Sequence, residues 1–297
     1  MIKAVYGFPV LPKAGLANML IPWAECYLWC KDHGVKQVAP HWSKLRIGPF
    51  IRGERDKRQY QLLFNNGGNI AGLKRMFLTL TANKVAFENF DFSKMDECSR
   101  TTLVCFSDMN HLERLLSRNK EIISELYRIT RRKYWPTTVP PSFIAIHIRM
   151  GDFPAKSETS KQIYFKQPLH WYIDALQELR RSMGFVWPAI VFSDGSDQEL
   201  KPVLELESVA RSPYSKSISD LLAIAKSSVL ITSRSSFSLM GAFLGQVPTV
   251  WYEGKREICG SGYMNTMENA KLEIEWMHGQ KMPEEFIKRL ENRTKSN

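Results

Sequence analysis

The chain has no two cysteines at C-x-x-C spacing, and its five cysteines are an odd number. Neither a disulfide framework nor a zinc ribbon is expected to organise such a chain. Cys26 and Cys30 lie four residues apart on an expected helix and share one face. A metal site would need two further ligands at a recognisable spacing, so they read as small buried apolar residues. A reducing compartment fits this usage. No apolar run approaches the ~20 residues that span a bilayer, and the N-terminus lacks a charged region leading into an apolar one, so neither a transmembrane helix nor a signal peptide is expected. Internal repeats, low-complexity tracts and the G-x-G-x-x-G dinucleotide fingerprint are also missing. Positive charge is in good supply: 41 Lys and Arg against 30 Asp and Glu give +11. An acidic partner follows from this, whether nucleic acid, an anionic membrane surface or a phosphorylated substrate. Apart from Arg52–Arg58 and Arg128–Lys133, however, the cations are scattered. No basic stripe with interleaved aromatics exists, so nucleic acid is not the expected partner.

At 297 residues one large or two medium domains are expected. Trp135–Pro141, with three prolines, is the best boundary and suggests domains at 1–138 and 139–297. In the first half, Ala4–Val10, Lys36–Ala39, Val85–Phe90 and Thr101–Phe106 read as strands. Ala17–Lys31 reads as a helix that Pro22 bends or delays, His41–Arg58 is loop-like, and Asn65–Gly68 signals a turn. Asn110–Arg131 has the period of one long helix, opened by an Asn110/Glu113 capping box. The second half alternates. Strands are expected at Phe143–Ile148, Ala189–Phe192, Val229–Thr232 and Thr249–Tyr252. The helices between them are Leu169–Met183 (closed by Gly184), Gln198–Leu206, Ser217–Lys226 (with a Ser217/Asp220 box) and Ser236–Leu244. Such alternation predicts an α/β fold with a parallel sheet covered on both faces. Glu284–Asn297 reads as a polar, frayed tail, with the alternative that a last helix packs back on the N-terminal domain.

In parallel sheets ligands bind beyond the carboxyl ends of the strands, and three polar clusters fall at such ends. His147 and Arg149, with Gly151 and Asp152, end the first strand of the second half. An arginine there either forms a structural ion pair with Asp152 or suits a diphosphate, onto which it forks two N–H groups and whose departure as part of a nucleoside diphosphate it can stabilise without a metal. His147 is either a nucleotide contact or a general base, or a packed residue. Asp194 ends the next strand. It is either an acceptor for the N–H edge of a base or a turn former. Ser233–Ser238 forms a polar turn into a helix, with Ser235 or Ser236 as N-cap; the helix N-terminus holds anions. Gly241 and Ala242 are expected to let that helix pack close to the sheet. Near the N-terminus, Gly15–Asn18 joins the first strand to the first helix.

These segments together resemble the α-1,2-fucosyltransferase family within the wider fucosyltransferase superfamily. His147-Ile-Arg149-Met-Gly151-Asp152 fits its H-x-R-x-G-D motif. Ile231–Ser238 with Gly241-Ala242 resembles its S-x-S-S-F-S-x-x-G-A segment. Gly15–Met19 resembles its G-L-G-N-Q turn, with Ala17 and Met19 as departures. The resemblance implies a GT-B architecture: two facing Rossmann-like domains, with the C-terminal one binding GDP-fucose and a cleft between them admitting a glycan acceptor. It implies inverting transfer of L-fucose, on the α-1,2 pattern to O-2 of a galactoside, with no cofactor and no metal. Arg149 would bind the β-phosphate, with His147 beside it. Ser235, Ser236 and Phe237 would hold the phosphates and nucleoside, Asp194 would read guanine, and Asn18 would lie near the sugar or diphosphate. Asp152, His147 and Glu25 are the candidate bases. The expected location is the cytoplasm, with the basic surface in peripheral contact with the inner membrane surface where lipid-linked glycans are built.

Overall fold

The computed structural model describes residues 4–42, 59–93, 100–109, 112–151, 166–232, 235–252 and 272–296. The chain forms two compact units, and the main chain passes from one to the other between Lys133 and Tyr134.

The first unit holds a four-stranded sheet in the order β2-β1-β4-β3, from β1 (Val5–Pro9), β2 (Lys36–Gln37), β3 (Asn83–Ala86) and β4 (Thr102–Phe106). Every pair is parallel, so each strand requires a crossover rather than a hairpin. Helix α1 (Leu16–Asp32) follows β1 and lies against it where Gly7 has no side chain. A Cβ at Gly7 would sit 2.3 Å from Cys30 Sγ and 2.9 Å from Cys26 Sγ. The two buried cysteines are thus the small pair that lets helix and strand approach. Burial raises the Cys26 thiol pKa well above its ordinary value. Pro22 does not delay α1, which starts at Leu16; having no N–H, it leaves the Asn18 carbonyl without its helical donor.

Several expectations for this half are corrected. Val85–Phe90 is not one strand: β3 stops at Ala86 and a 3₁₀ turn takes Phe87–Asn89. An unexpected helix, α2 (Gly72–Thr81), precedes β3. The long helix expected over Asn110–Arg131 is broken. A 3₁₀ turn covers Leu112–Leu115 and α3 runs Asn119–Ile129, because Ser117 between them adopts φ 68°, a left-handed conformation that ends a right-handed helix. The apolar positions still share one core: Leu112, Leu115, Ile122, Leu126 and Ile129 are all buried. Asn110, of the expected capping box, lies outside the described residues, as do Ser43–Arg58.

The second unit has a six-stranded, all-parallel sheet of β5 (Ile144–Ile148), β6 (Ala189–Ser193), β7 (Val209–Arg211), β8 (Val229–Thr232), β9 (Thr249–Trp251) and β10 (Glu273–Glu275). Its order is β10-β9-β8-β5-β6-β7. Counted within the unit this is 3-2-1-4-5-6 read from the β7 edge, the doubly wound Rossmann order. β5 is buried along its whole length. Ile144, Ile146 and Ile148 face the cluster that includes Trp171, Tyr172 and Leu176 of α4 (Leu169–Met183). Phe143 and Ala145 face the other side, with Ala242 of α7 (Ser236–Gly245) and Ile224 of α6 (Ser217–Lys226).

Helix α5 (Asp197–Leu204) opens one residue earlier than its apolar spacing suggests, on a Ser196/Glu199 capping box. The Ser217/Asp220 box is not formed: Lys216 is the N-cap of α6, and Asp220 accepts from Ser212 Oγ at 2.5 Å. Glu284–Ser296 is helix α8 rather than a frayed tail. Its Phe286, Ile287 and Leu290 enter the core of the second unit, so its apolar face is used within that unit. The preceding segment is tied to α4: Trp171 Nε1 donates to the Trp276 carbonyl at 2.9 Å, and Met282 N–H donates to buried Glu178 at 3.2 Å. No helix among the described residues is long and apolar enough to cross a membrane.

Candidate functional site

The second unit's strand order reverses direction at β5. From there β6 and β7 run to one side and β8 to β10 to the other. The crevice at such a reversal, beyond the carboxyl ends of the strands, is where doubly wound sheets bind ligands. His147, Arg149, Asp194 and the turn at Ser235 lie there, at the ends of the adjacent strands β8, β5 and β6.

Beyond Ile148 the chain leaves the sheet, and Arg149 is mostly covered, its side chain 19% exposed. It forms an ion pair with Asp194, just past β6. The same carboxylate accepts from the backbone N–H of Met150 at 2.8 Å and of Gly151 at 3.2 Å. Asp194 is therefore a clamp: it orients the arginine and fixes the chain leaving β5. Its carboxylate thus meets three donors, from Arg149, Met150 and Gly151. Two further features brace it. Gly195 passes so close to Met150 that a Cβ would lie 2.8 Å from the methionine Cγ. Arg211 reaches from β7 to the carbonyls of Ser193 and Gly195 at 3.0 and 2.7 Å, and to Asp197 at 2.7 Å.

His147 lies in register with Thr232 of β8, on the face toward α7. It is buried and shares a hydrogen bond of 2.5 Å through Nδ1 with Ser238 Oγ. The Phe237 ring lies 5.3 Å from the imidazole, centroid to centroid. Burial, aided by the Arg149 charge and partly opposed by Asp194, lowers its pKa to about 4. A ring that is neutral, tied and buried at neutral pH is a poor proton acceptor for a substrate hydroxyl. It instead joins β5 to the first turn of α7. Its partner Ser238 gave no signal in the sequence beyond its place in the serine-rich turn.

Ser235 is the N-cap of α7, as expected. Its extended backbone (φ −141°, ψ 136°) turns Oγ to accept from Phe237 N–H at 3.2 Å. Ser236 is exposed and Phe237 half-buried. The first turn of α7 carries no acid, so its own side chains leave the positive end of the helix dipole uncancelled. Gly241 serves a different packing contact from the one expected. A Cβ there would meet Ile224 Cγ2 at 2.6 Å, so this glycine seats α7 against α6, while Ala242 faces the sheet.

Asn18 lies half-buried in the first turn of α1, after Gly15, in the first unit. Glu25 is buried on the same helix and paired with Arg114 at 2.7 Å; Arg114 also stands 5.8 Å above the Phe87 ring. That pairing makes Glu25 part of the first unit's framework, not a base awaiting a substrate. Asp152 lies outside the described residues, as do Ser233 and Arg234. The described residues contain no cluster of three or more His, Cys, Asp or Glu able to hold a metal.

No family model and no curated protein matches the chain. Solved structures do share its fold. An α-1,6-fucosyltransferase, NodZ, soaked with GDP-fucose aligns over 85% of this chain and 96% of its own, with a TM-score of 0.50 and 16% identity. The same enzyme co-crystallised with GDP gives 0.51, 15% identity and the same coverage. Fucosyltransferase NodZ from Bradyrhizobium gives 0.51 and 14% identity over 86% and 97%. At these identities the likeness establishes the fold, the GT-B plan of two Rossmann-like units.

Proposed function

We propose that this chain is a glycosyltransferase that moves L-fucose from GDP-fucose to a glycan hydroxyl. The observation that carries the reading is Arg149, fixed by Asp194 at the reversal of a Rossmann sheet, two residues beyond His147, which is bonded to the first turn of α7. Such an arrangement suits a leaving diphosphate. In the proposed step the acceptor oxygen bonds to C1 of the sugar from the face opposite GDP, so the anomeric centre inverts. The bond from C1 to the phosphate oxygen breaks and GDP departs with the electron pair. Arg149 and the N–H groups around Ser235, Ser236 and Phe237 stabilise that charge, which is where a preorganised donor lowers the barrier. His147 holds the α7 turn in place, and Asp152 takes the acceptor proton. No metal or other cofactor is required. The fold shared with a fucosyltransferase that binds GDP-fucose supports the donor. The motifs favour O-2 of a galactoside, whereas NodZ is an α-1,6 enzyme, so linkage analysis of the product decides between the two. The proposed location is cytoplasmic, with peripheral contact at the inner membrane surface.

The test is turnover of GDP-fucose with a panel of galactosides, with and without EDTA, for the parent chain and for Arg149→Ala. The variant is expected to lose on the order of 10²-fold or more in kcat while keeping its far-UV spectrum. Unchanged turnover, or no GDP release from the parent chain, overturns the reading. One observation favours a second reading. Because Asp194 is engaged by Arg149, no described carboxylate at these strand ends is assigned to guanine, and a different nucleotide sugar fits the same phosphate site. A thermal-shift panel of GDP and UDP sugars separates the two.

A further inference from the structure

Helix α2 carries its largest apolar residues on the solvent side. Leu73, Met76, Phe77 and Leu80 recur at i, i+3, i+4 and i+7, a single stripe on a helix. They are 80%, 53%, 57% and 76% exposed. A helix at the surface of a globular protein normally turns such a stripe to the core. Here other residues occupy the core side. Leu78 is buried in the cluster with Val38, Ile70 and Leu103. Arg75 Nε donates to the Ala39 carbonyl at 2.8 Å. Just before the helix, Ile70 N–H donates to the Gln37 carbonyl and Ala39 N–H to the Ile70 carbonyl, both at 2.9 Å. Turning the stripe inward would break these contacts, so the outward face is built into the first unit.

The segment that carries it has charge of one sign. Between Asp56 and Glu88 the sequence holds no acid, while it carries Lys57, Arg58, Lys74, Arg75 and Lys84. Lys74 flanks the stripe and Lys84 lies on β3, directly after the helix; both are exposed. A second copy of the chain docking through this face would bring like charges together in a molecule of formal charge +11, which opposes self-association. An anionic lipid surface meets both features. Leucine, methionine and phenylalanine enter the boundary of the acyl region while the ammonium groups meet lipid phosphates.

We propose that α2 is a membrane-docking element, which lays Leu73, Met76, Phe77 and Leu80 onto an anionic lipid surface. This does not depend on the identity of the donor sugar. The test is co-sedimentation of the full chain with phosphatidylcholine vesicles, with and without phosphatidylglycerol. Binding is expected only with the anionic lipid, weaker in high salt, and reduced about tenfold or more by Leu73→Gln combined with Leu80→Gln. Both positions are exposed, so the variant should keep the parent melting temperature. As a check that does not require removing the stripe, Leu73→Cys carrying an environment-sensitive dye is compared with the parent chain treated in the same way. A blue shift on anionic vesicles is expected. The proposal is overturned if the parent chain stays in the supernatant, if the double variant binds as well as the parent, if the dye does not shift, or if the parent forms a dimer that the double variant abolishes.

Discussion

At the residue scale, two buried polar contacts shape the site. His147 is neutral when folded, with a pKa of about 4, against about 6.5 in an unfolded chain. Above pH 6.5 neither state is charged and the fold keeps its full stability. As pH falls from 6.5 toward 4 only the unfolded chain takes up the proton. Stability is therefore lost across that window, by up to about 3 kcal/mol. Urea titrations of the parent chain and His147→Gln should show the parent losing more stability than the variant between pH 7 and pH 4; parallel curves would refute this. Asp194→Ala removes the acceptor shared by Arg149 and two backbone N–H groups, and a loss of about 2 kcal/mol is expected. Asp194→Asn, which keeps an oxygen for the N–H groups, should cost less stability yet still raise the KM for the donor, since Arg149 is no longer aimed. Equal KM values for parent and Asp194→Asn would count against the clamp. The sequence revealed where these residues stand but not what each one does. Arg149, His147 and Asp194 were legible because polar side chains at the ends of apolar strands are conspicuous. The partnership of Arg149 with Asp194 was not, because it joins residues 45 positions apart, nor was that of His147 with Ser238, 91 positions apart.

At the scale of elements, the parallel strands of the second unit were readable because strands covered on both faces are continuous apolar runs. β7 and β10 escaped because each has only three residues and lies at an edge. α2 went unassigned although its apolar residues recur at helical spacing, because it opens on Gly72 with no capping side chain, so no start signal marks it. The α3 region misled because apolar period survives a break when both pieces pack on the same core. The spacing of β1 and α1 rests on Gly7 and the two cysteines, and it makes a sharp prediction. Gly7→Ala should cost about 2 kcal/mol through overpacking. Adding Cys30→Ala should recover part of that loss, so the double variant is more stable than the sum of the two single changes. Additive losses in chemical denaturation would show that the strand and helix separate freely.

At the scale of the whole molecule, each unit has its own sheet and core, while the proposed diphosphate site belongs to the second unit. Urea unfolding is expected to show two transitions. GDP at about 100 times its Kd should move only the later-assigned second-unit transition, by about 2.7 kcal/mol; an equal shift of both, or of neither, would contradict that placement. The order of the second sheet also has a consequence for synthesis. Its central strand, β5, is the first to be made, yet its partner β6 follows some forty residues later and β8 some eighty. At roughly 5–20 residues per second, a bare β-prone strand waits on the order of ten seconds before both its edges are covered. Arg149, directly after that strand, is the kind of flanking charge that disfavours its pairing with other nascent chains, an effect that precedes any ligand.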